Sequence, residues 1–407
     1  MATQVSIIGS ALSGNKGASA MLESAIATIS ERRPDARFTL FSMYPNEDSR
    51  LNRYESMTIV PASPKQLGVT INLLALAYRI LPPLRPVIRS KSKAIRALVD
   101  SDVLLDQGGI TFTDGREKFL LYNIASILPA LMVGTPVFKC AQAVGPFRSP
   151  VNRFFAKMFL PRVHTLVTRG AITHGHAESL GLTNLVAGAD YAFALELDGN
   201  EKDSVSAFVL DEFFAGRPVV GVSPSVVVRK KIDAGGRDYA GEMASFVDHL
   251  VATGHRVVLL PHSVRDSSDT HNNDLPLCLE IRDRLTSSSE DVLLIDRELS
   301  SQELRYIIGR CDLFVASRFH AMVSALAMAV PVLVVGWSHK YEEVLAMFDA
   351  QEWAFGYDRF EQDYLRERFA ELESRQEEVA AQLKLRLPGV KRDAAEQADL
   401  IVGALGA

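Results

Sequence analysis

Apolar residues along this chain fall into two alternating patterns: short continuous runs, and longer stretches in which they recur every three or four positions. The runs read as strands buried on both faces, and the stretches as helices packed against them. Strands are predicted over 5–9, 37–42, 57–60, 102–106, 136–140, 165–168 and 184–186, with helices over 17–29, 67–81, 119–132 and 151–160 between them. Residues 196–206 are polar and contain Gly199-Asn200, a linker signal. The pattern then restarts. Strands are expected over 219–222, 256–260, 292–295, 313–316 and 332–335, and helices over 239–253, 275–285 and 320–329. Ser300-Ser-Gln-Glu303 reads as a capping box, 266–274 as a polar loop, 360–385 as a charged helix and 393–405 as a last, apolar-faced one. Such alternation predicts two Rossmann-like β/α/β domains, each with a parallel sheet covered on both faces, facing one another across a cleft. The expected division is 1–196, 207–385 and a C-terminal helix over 386–407.

Polar exceptions inside the apolar units carry the chemistry. Residues 312–336 read as strand, loop, helix, strand, with Ser317 as the expected N-cap and Pro331 ending the helix. Arg318 and His320 fall where the strand ends and the helix begins, the place where open α/β sheets bind ligands. Helix-terminal N–H groups, a guanidinium and an imidazole together suit an anion. Arg169 and His262 stand at equivalent strand ends. The loop from Gly9 to Gly17 reads either as a phosphate-cradling turn or as a tight strand-to-helix turn, and lacks the ending of a P-loop. Gly108 and Gly109 would allow a ligand to approach the backbone. His174 and His176 have no third partner in the pattern, and no metal site is expected.

Composition places the chain among globular proteins, with 47% hydrophobic and 23% charged residues. Cys140, Cys278 and Cys311 make no disulfide or metal spacing, which suits a reducing compartment. The first residues run directly into a strand and no apolar run reaches the roughly 18–20 residues of a spanning helix, so a cytoplasmic protein is expected. Charge is uneven: residues 1–195 hold 21 Lys and Arg against 13 Asp and Glu, a formal +8, which leaves −13 for the rest. No acidic residue occurs between Glu55 and Asp100, whereas Lys65, Arg79, Arg85, Arg89, Lys91, Lys93 and Arg96 do. This stretch is either a core helix followed by a solvated basic face or a peripheral contact with an anionic membrane through residues 65–96. No nucleic-acid partner is expected.

The chain resembles the polysaccharide pyruvyl transferase family. The resemblance rests on Gly14-Asn15-Lys16-Gly17, Gly108-Gly109, Gln142-Ala-Val-Gly-Pro-Phe147, Arg169, Asp190 and Pro261-His262, and above all on Ser317-Arg-Phe-His-Ala321 with Pro331, Gly336 and Lys340. Ala18 and Ser19 stand where many members carry an acidic residue. The resemblance implies a fold like the two-domain glycosyltransferases of the B type. It also implies phosphoenolpyruvate as donor, with no further cofactor, and a sugar of a glycan or lipid-linked glycan as acceptor. The product would be a pyruvate ketal, with release of phosphate. In that reaction the enol carbon is protonated and a sugar hydroxyl attacks, which needs an acid, cations and a base. His320 is the expected acid or phosphate ligand. Arg318, Arg169 and Lys340, with Gly336, are expected on the donor. Asn15, Gly17, Asp106, Gly108, Gly109, Gln142, Asp190 and His262 are expected on the acceptor or along the cleft, with His262 as an alternative base. Two other readings are a nucleotide-sugar glycosyltransferase of the same fold and a non-catalytic protein of glycan or membrane surfaces.

Overall fold

The computed structural model describes residues 2–209, 211–265, 272–288, 290–338 and 340–405, so most of the loop predicted over 266–274 lies outside the described residues. Two compact units result. The first comprises Met1–Ser13, Met21–Ala194 and Arg392–Ala407, and the second Gly14–Ala20 and Leu195–Lys391.

The first unit carries an eight-stranded sheet. Its parallel strands run Met57–Pro61, Arg37–Ser42, Gln4–Ile8, Val103–Asp106, Val137–Gly145, Thr165–Arg169 and Leu185–Gly188, and Ile110–Thr113 pairs on the fifth of these. The second unit has six parallel strands in the order Val292–Leu294, Arg256–Leu259, Val219–Ser223, Leu313–Ala316, Val332–Gly336 and Ala354–Gly356. That is the 3-2-1-4-5-6 order of a doubly wound sheet, in which ligands bind at the carboxyl ends where the winding reverses. In the second unit the reversal lies between Val219–Ser223 and Leu313–Ala316, and in the first between Gln4–Ile8 and Val103–Asp106. The central strands are buried along their whole length, which explains why they read as unbroken apolar runs.

Differences from the sequence expectation follow local chemistry. The strand predicted over 136–140 continues to Gly145 through a register shift between Lys139 and Gln142. Both polar side chains are fully buried and hydrogen-bonded, so polarity there marks an internal network and not a strand end. Val226–Asp233 is a helix although three valines open it, because Ser225 caps it through the N–H of Val227. Glu201–Ser206 is a helix inside the expected linker, and Ile110–Thr113 and Ala354–Gly356 are short strands that no run signalled. The two C-terminal helices divide at Arg375, into Gln362–Ser374 and Gln376–Ala404. The latter runs through Pro388, whose missing N–H leaves one turn bond unmade.

Residues 66–80 begin as a π-helical turn, Gln66–Ile71, and continue as Asn72–Ile80. Leu67, Ile71 and Ala75 join the core of the first unit, and Asn72 holds the carbonyl of Ala125 on the neighbouring helix Leu120–Val133. The opposite face is also apolar and lies exposed. Among the described residues no single helix is long and apolar enough to cross a membrane, although the pair Gln66–Ile80 and Pro82–Lys91, bent by 119°, is apolar enough as a pair.

Candidate functional site

The second unit gathers its polar groups around the end of Leu313–Ala316. Ser317 does not cap the next helix through its side chain. Its N–H donates to the carbonyl of Ser223, its hydroxyl accepts from Tyr239 at 3.0 Å, and its carbonyl accepts from the Tyr341 hydroxyl at 3.3 Å. Burial pushes both phenols above their ordinary range, so they act as fixed neutral donors. Arg318 occupies the N-cap position of Phe319–Ala327 with extended backbone. Its Nη2 donates to Asp274 Oδ1 at 2.6 Å, and the same oxygen accepts the N–H of Val226 at 3.1 Å. Asp274 is completely buried, whereas the Arg318 side chain keeps 15% of its surface. The carboxylate therefore aims the guanidinium, and among the described residues one of its five N–H donors is hydrogen-bonded. Asp274 Oδ2 has no hydrogen-bond partner among the described residues.

The N-terminal glycine loop belongs to this same site. Gly14–Asn15 forms a two-residue strand antiparallel to Ser263–Val264, and the N–H of Lys16 donates to the carbonyl of His262 at 3.2 Å. Asn15 Oδ1 accepts from the N–H of Gly17 at 3.1 Å, which closes the turn into helix Lys16–Arg32. A Cβ on Gly17 would stand 2.0 Å from Cγ and Nδ1 of His320, so the imidazole lies directly against the glycine backbone. Lys16 is buried with its ammonium 2.6 Å from Glu298 Oε1, which also accepts the N–H of Gly14. His262 is held neutral: burial lowers its pKa well below the ordinary histidine value, and the nearby His320, Arg318 and Arg305 lower it further. Lys340 opens the helix Lys340–Ala346 just beyond Gly336, and its ammonium lies 4.5 Å from the ring centre of Phe319 and 4.7 Å from that of Trp337. Asn15, Gly17, His262, Arg318, His320, Gly336 and Lys340 thus all belong to the second unit.

The remaining candidates form a separate network in the first unit. Gly9, with φ +85°, ends the strand Gln4–Ile8 so close to Gly108 that a Cβ would stand 2.6 Å from the Gly108 nitrogen. Asp106 accepts from the buried ammonium of Lys139 and from the N–H of Gly108 at 3.0 Å. Gln142 donates to the Asp106 carbonyl and accepts from Thr111. Arg169 is the last residue of its strand, not the residue after it. It is 1% exposed, with Nη1 on Asp190 Oδ2 at 2.6 Å and Nη2 on the carbonyl of Gly109 at 2.9 Å. Arg169, expected on the donor, and Asp190, expected on the acceptor, lie together as one buried ion pair. His174 and His176 bond Thr168 and the Val144 carbonyl respectively, and among the described residues no group of three His, Cys, Asp or Glu could hold a metal ion.

Glu298 and Arg305 are absent from the sequence expectation, and Lys16 and Asp274 enter it only as members of loops with no role of their own. Asp274 reads in sequence as the end of a polar loop, and both it and Glu298 acquire their partners only through the fold.

Three measurements check this geometry. Ala is favoured over Gly in helices by roughly 1 kcal/mol, but overpacking costs about 1–3 kcal/mol, so Gly17→Ala should destabilise the wild-type chain. In a His320→Gly background, which removes both the ring and the histidine Cβ that would stand 2.4 Å away, the same substitution should cost much less, and a double-mutant cycle in urea unfolding reads the coupling. For His262 the folded pKa lies below the unfolded one, so its neutral form contributes stability that is complete above about pH 6.5 and declines as pH falls below it. His262→Gln should flatten that part of the stability–pH curve. Asp190→Ala leaves the Arg169 charge buried without its carboxylate and should cost about 3–5 kcal/mol in the same unfolding measurement.

Comparison with known proteins agrees with the fold. S. aureus MnaA, solved with UDP, is 12% identical with a TM-score of 0.61, covering 98% of this chain and 95% of that one. The ADP-heptose lipopolysaccharide heptosyltransferase II of E. coli is 14% identical with a TM-score of 0.50, covering 92% of this chain and all of that one. Both show the α/β fold of the glycosyltransferase B kind. In sequence, the amylovoran biosynthesis protein AmsJ of Erwinia amylovora is 20% identical over 370 residues, 86% of this chain and 87% of its own length. Residues 15–339 match the family described as polysaccharide pyruvyl transferase, a span that starts at Asn15 and includes Arg318 and His320, and the chain belongs to that family.

Proposed function

We propose that this enzyme transfers the pyruvyl group of phosphoenolpyruvate to two hydroxyls of one sugar in a glycan, forming a ketal and releasing phosphate. The observation that carries this reading is the arrangement at the second unit's switch point: a guanidinium aimed by a buried carboxylate, an imidazole seated on Gly17, and a second imidazole held neutral. The donor carries a phosphate and a carboxylate beside its enol carbon. Arg318 keeps most of its N–H donors for such a group, and guanidinium binds either anion through two parallel bonds. Lys340 adds positive charge beyond the next strand end.

His320 protonates the methylene carbon, which becomes a methyl group, while the central carbon takes on oxocarbenium character. One sugar hydroxyl adds to that carbon, the carbon–oxygen bond to phosphate breaks, and a second hydroxyl of the same sugar closes the ketal. Two hydroxyl protons leave the sugar; one balances the proton on the methyl and the other leaves with phosphate. His262, kept uncharged, can accept a hydrogen bond from the attacking hydroxyl, while its lowered pKa makes it a weak base and leaves the proton to the departing phosphate. Arg169, Asp190, Asp106 and Gln142 act as the frame of the first unit, shaping the backbone at Gly108 and Gly109.

Thermal unfolding with separate ligands tests the donor. Phosphoenolpyruvate at about a hundredfold excess over its Kd should stabilise the chain by about 2.7 kcal/mol, and Arg318→Lys should lose most of that shift. Stabilisation by a UDP-sugar and none by phosphoenolpyruvate would contradict the reading. In a phosphate-release assay with an accepting glycan, His320→Gln should lower turnover by about 10²–10⁴-fold with the fold intact.

A further inference from the structure

Between the strand Met57–Pro61 and the helix Lys93–Asp100, the acid-free segment forms a bent helical pair, Gln66–Ile80 and Pro82–Lys91, whose first arm has two apolar faces. Leu67, Ile71 and Ala75 face the core of the first unit. The other side presents Val69, Leu73, Leu76 and Ile80, spaced four, three and four residues apart, and the second arm adds Leu84 and Val87. These side chains are large and open: Leu73 and Ile80 are each 60% exposed, Val69 57% and Val87 55%. Scattered exposed apolar residues are ordinary on a protein surface, but a continuous stripe along one helix face is an interaction surface.

Charge identifies what covers it. All seven basic residues of this acid-free segment are exposed. Arg85 stacks on Tyr78 and donates to its carbonyl, and Arg79 donates to the carbonyl of Met132, so both are anchored on backbone carbonyls and, among the described residues, no acidic group neutralises their charge. Among the described residues, Arg89 alone of the seven is paired with a carboxylate, that of Asp100. Apolar side chains flanked by unneutralised cations match the interface of an anionic bilayer, where the side chains enter the acyl boundary and the cations meet the headgroups. The inner face is tied to the protein core and the pair bends by 119°, which favours lying on the surface over crossing it.

We propose that the outer face of the pair Gln66–Ile80 and Pro82–Lys91 seats the first unit on an anionic phospholipid surface. The proposal does not depend on the identity of the donor.

Co-sedimentation of the full chain with vesicles tests it. With about one third anionic phospholipid the chain should sediment with the vesicles, and it should stay largely in solution with phosphatidylcholine alone. The triple variant Leu73→Gln, Leu76→Gln, Ile80→Gln should bind at least about tenfold more weakly, and Arg85→Glu with Lys91→Glu should do the same. Far-ultraviolet circular dichroism should show both variants folded, because every substituted side chain is already exposed. Failure of the wild-type chain to sediment with anionic vesicles would overturn the proposal. Equal binding by the triple variant would also overturn it. So would a concentration-dependent dimer, seen by sedimentation velocity and abolished by the same triple substitution, since the stripe would then belong to a second copy of the chain.

Discussion

Between Gly17 and His320 there is no room for a methyl group. This one contact sets much of the second unit's site. Close approach is achieved because Gly14–Asn15 adds itself as a strand to Ser263–Val264, while Lys16 is drawn inward by Glu298 and by the carbonyl of His262. The residues that link the first strand to the first helix therefore complete the second unit. Any larger residue at position 17 has to displace the imidazole, and the backbone on either side is fixed by hydrogen bonds.

Electrostatics follows the same logic. Cations in the second unit's site are each given a local reason to stay put: Asp274 for Arg318, Glu298 for Lys16, aromatic faces for Lys340. Buried charges without such partners would be expensive. The partnership leaves Arg318 partly accessible, and its charge in turn helps to keep His262 neutral. The site therefore sets positive charge beside an uncharged imidazole, the environment that the proposed donor would meet.

The strands of both sheets other than the short Ile110–Thr113 and Ala354–Gly356 are legible because parallel strands buried on two faces leave unbroken apolar runs, and Arg318 and His320 stand out as polar residues at the end of such a run. The partners of those residues were not legible. Asp274 and Glu298 sit in loops with no local pattern, and only the three-dimensional pairing gives them meaning. Arg169 looked like Arg318 in sequence, a cation at a strand end, yet its guanidinium lies buried on Asp190. Position in a strand cannot say whether an acidic partner waits across the sheet. The segment over 65–96 shows the same limit: an apolar helix predicts burial, and the fold has a core for only one of its two apolar faces.

The central claim is that this chain forms a ketal at the central carbon of phosphoenolpyruvate. Its most direct test is a reaction in heavy water with donor isotopically labelled at that carbon, offered against a panel of glycans and analysed by mass spectrometry and NMR. The account predicts that the labelled carbon appears bonded to two oxygens of one sugar. It also predicts one deuteron in the new methyl group and one phosphate released for each ketal. A label that stays in unreacted donor across the panel, or a product that retains the phosphate or an intact enol, would contradict it.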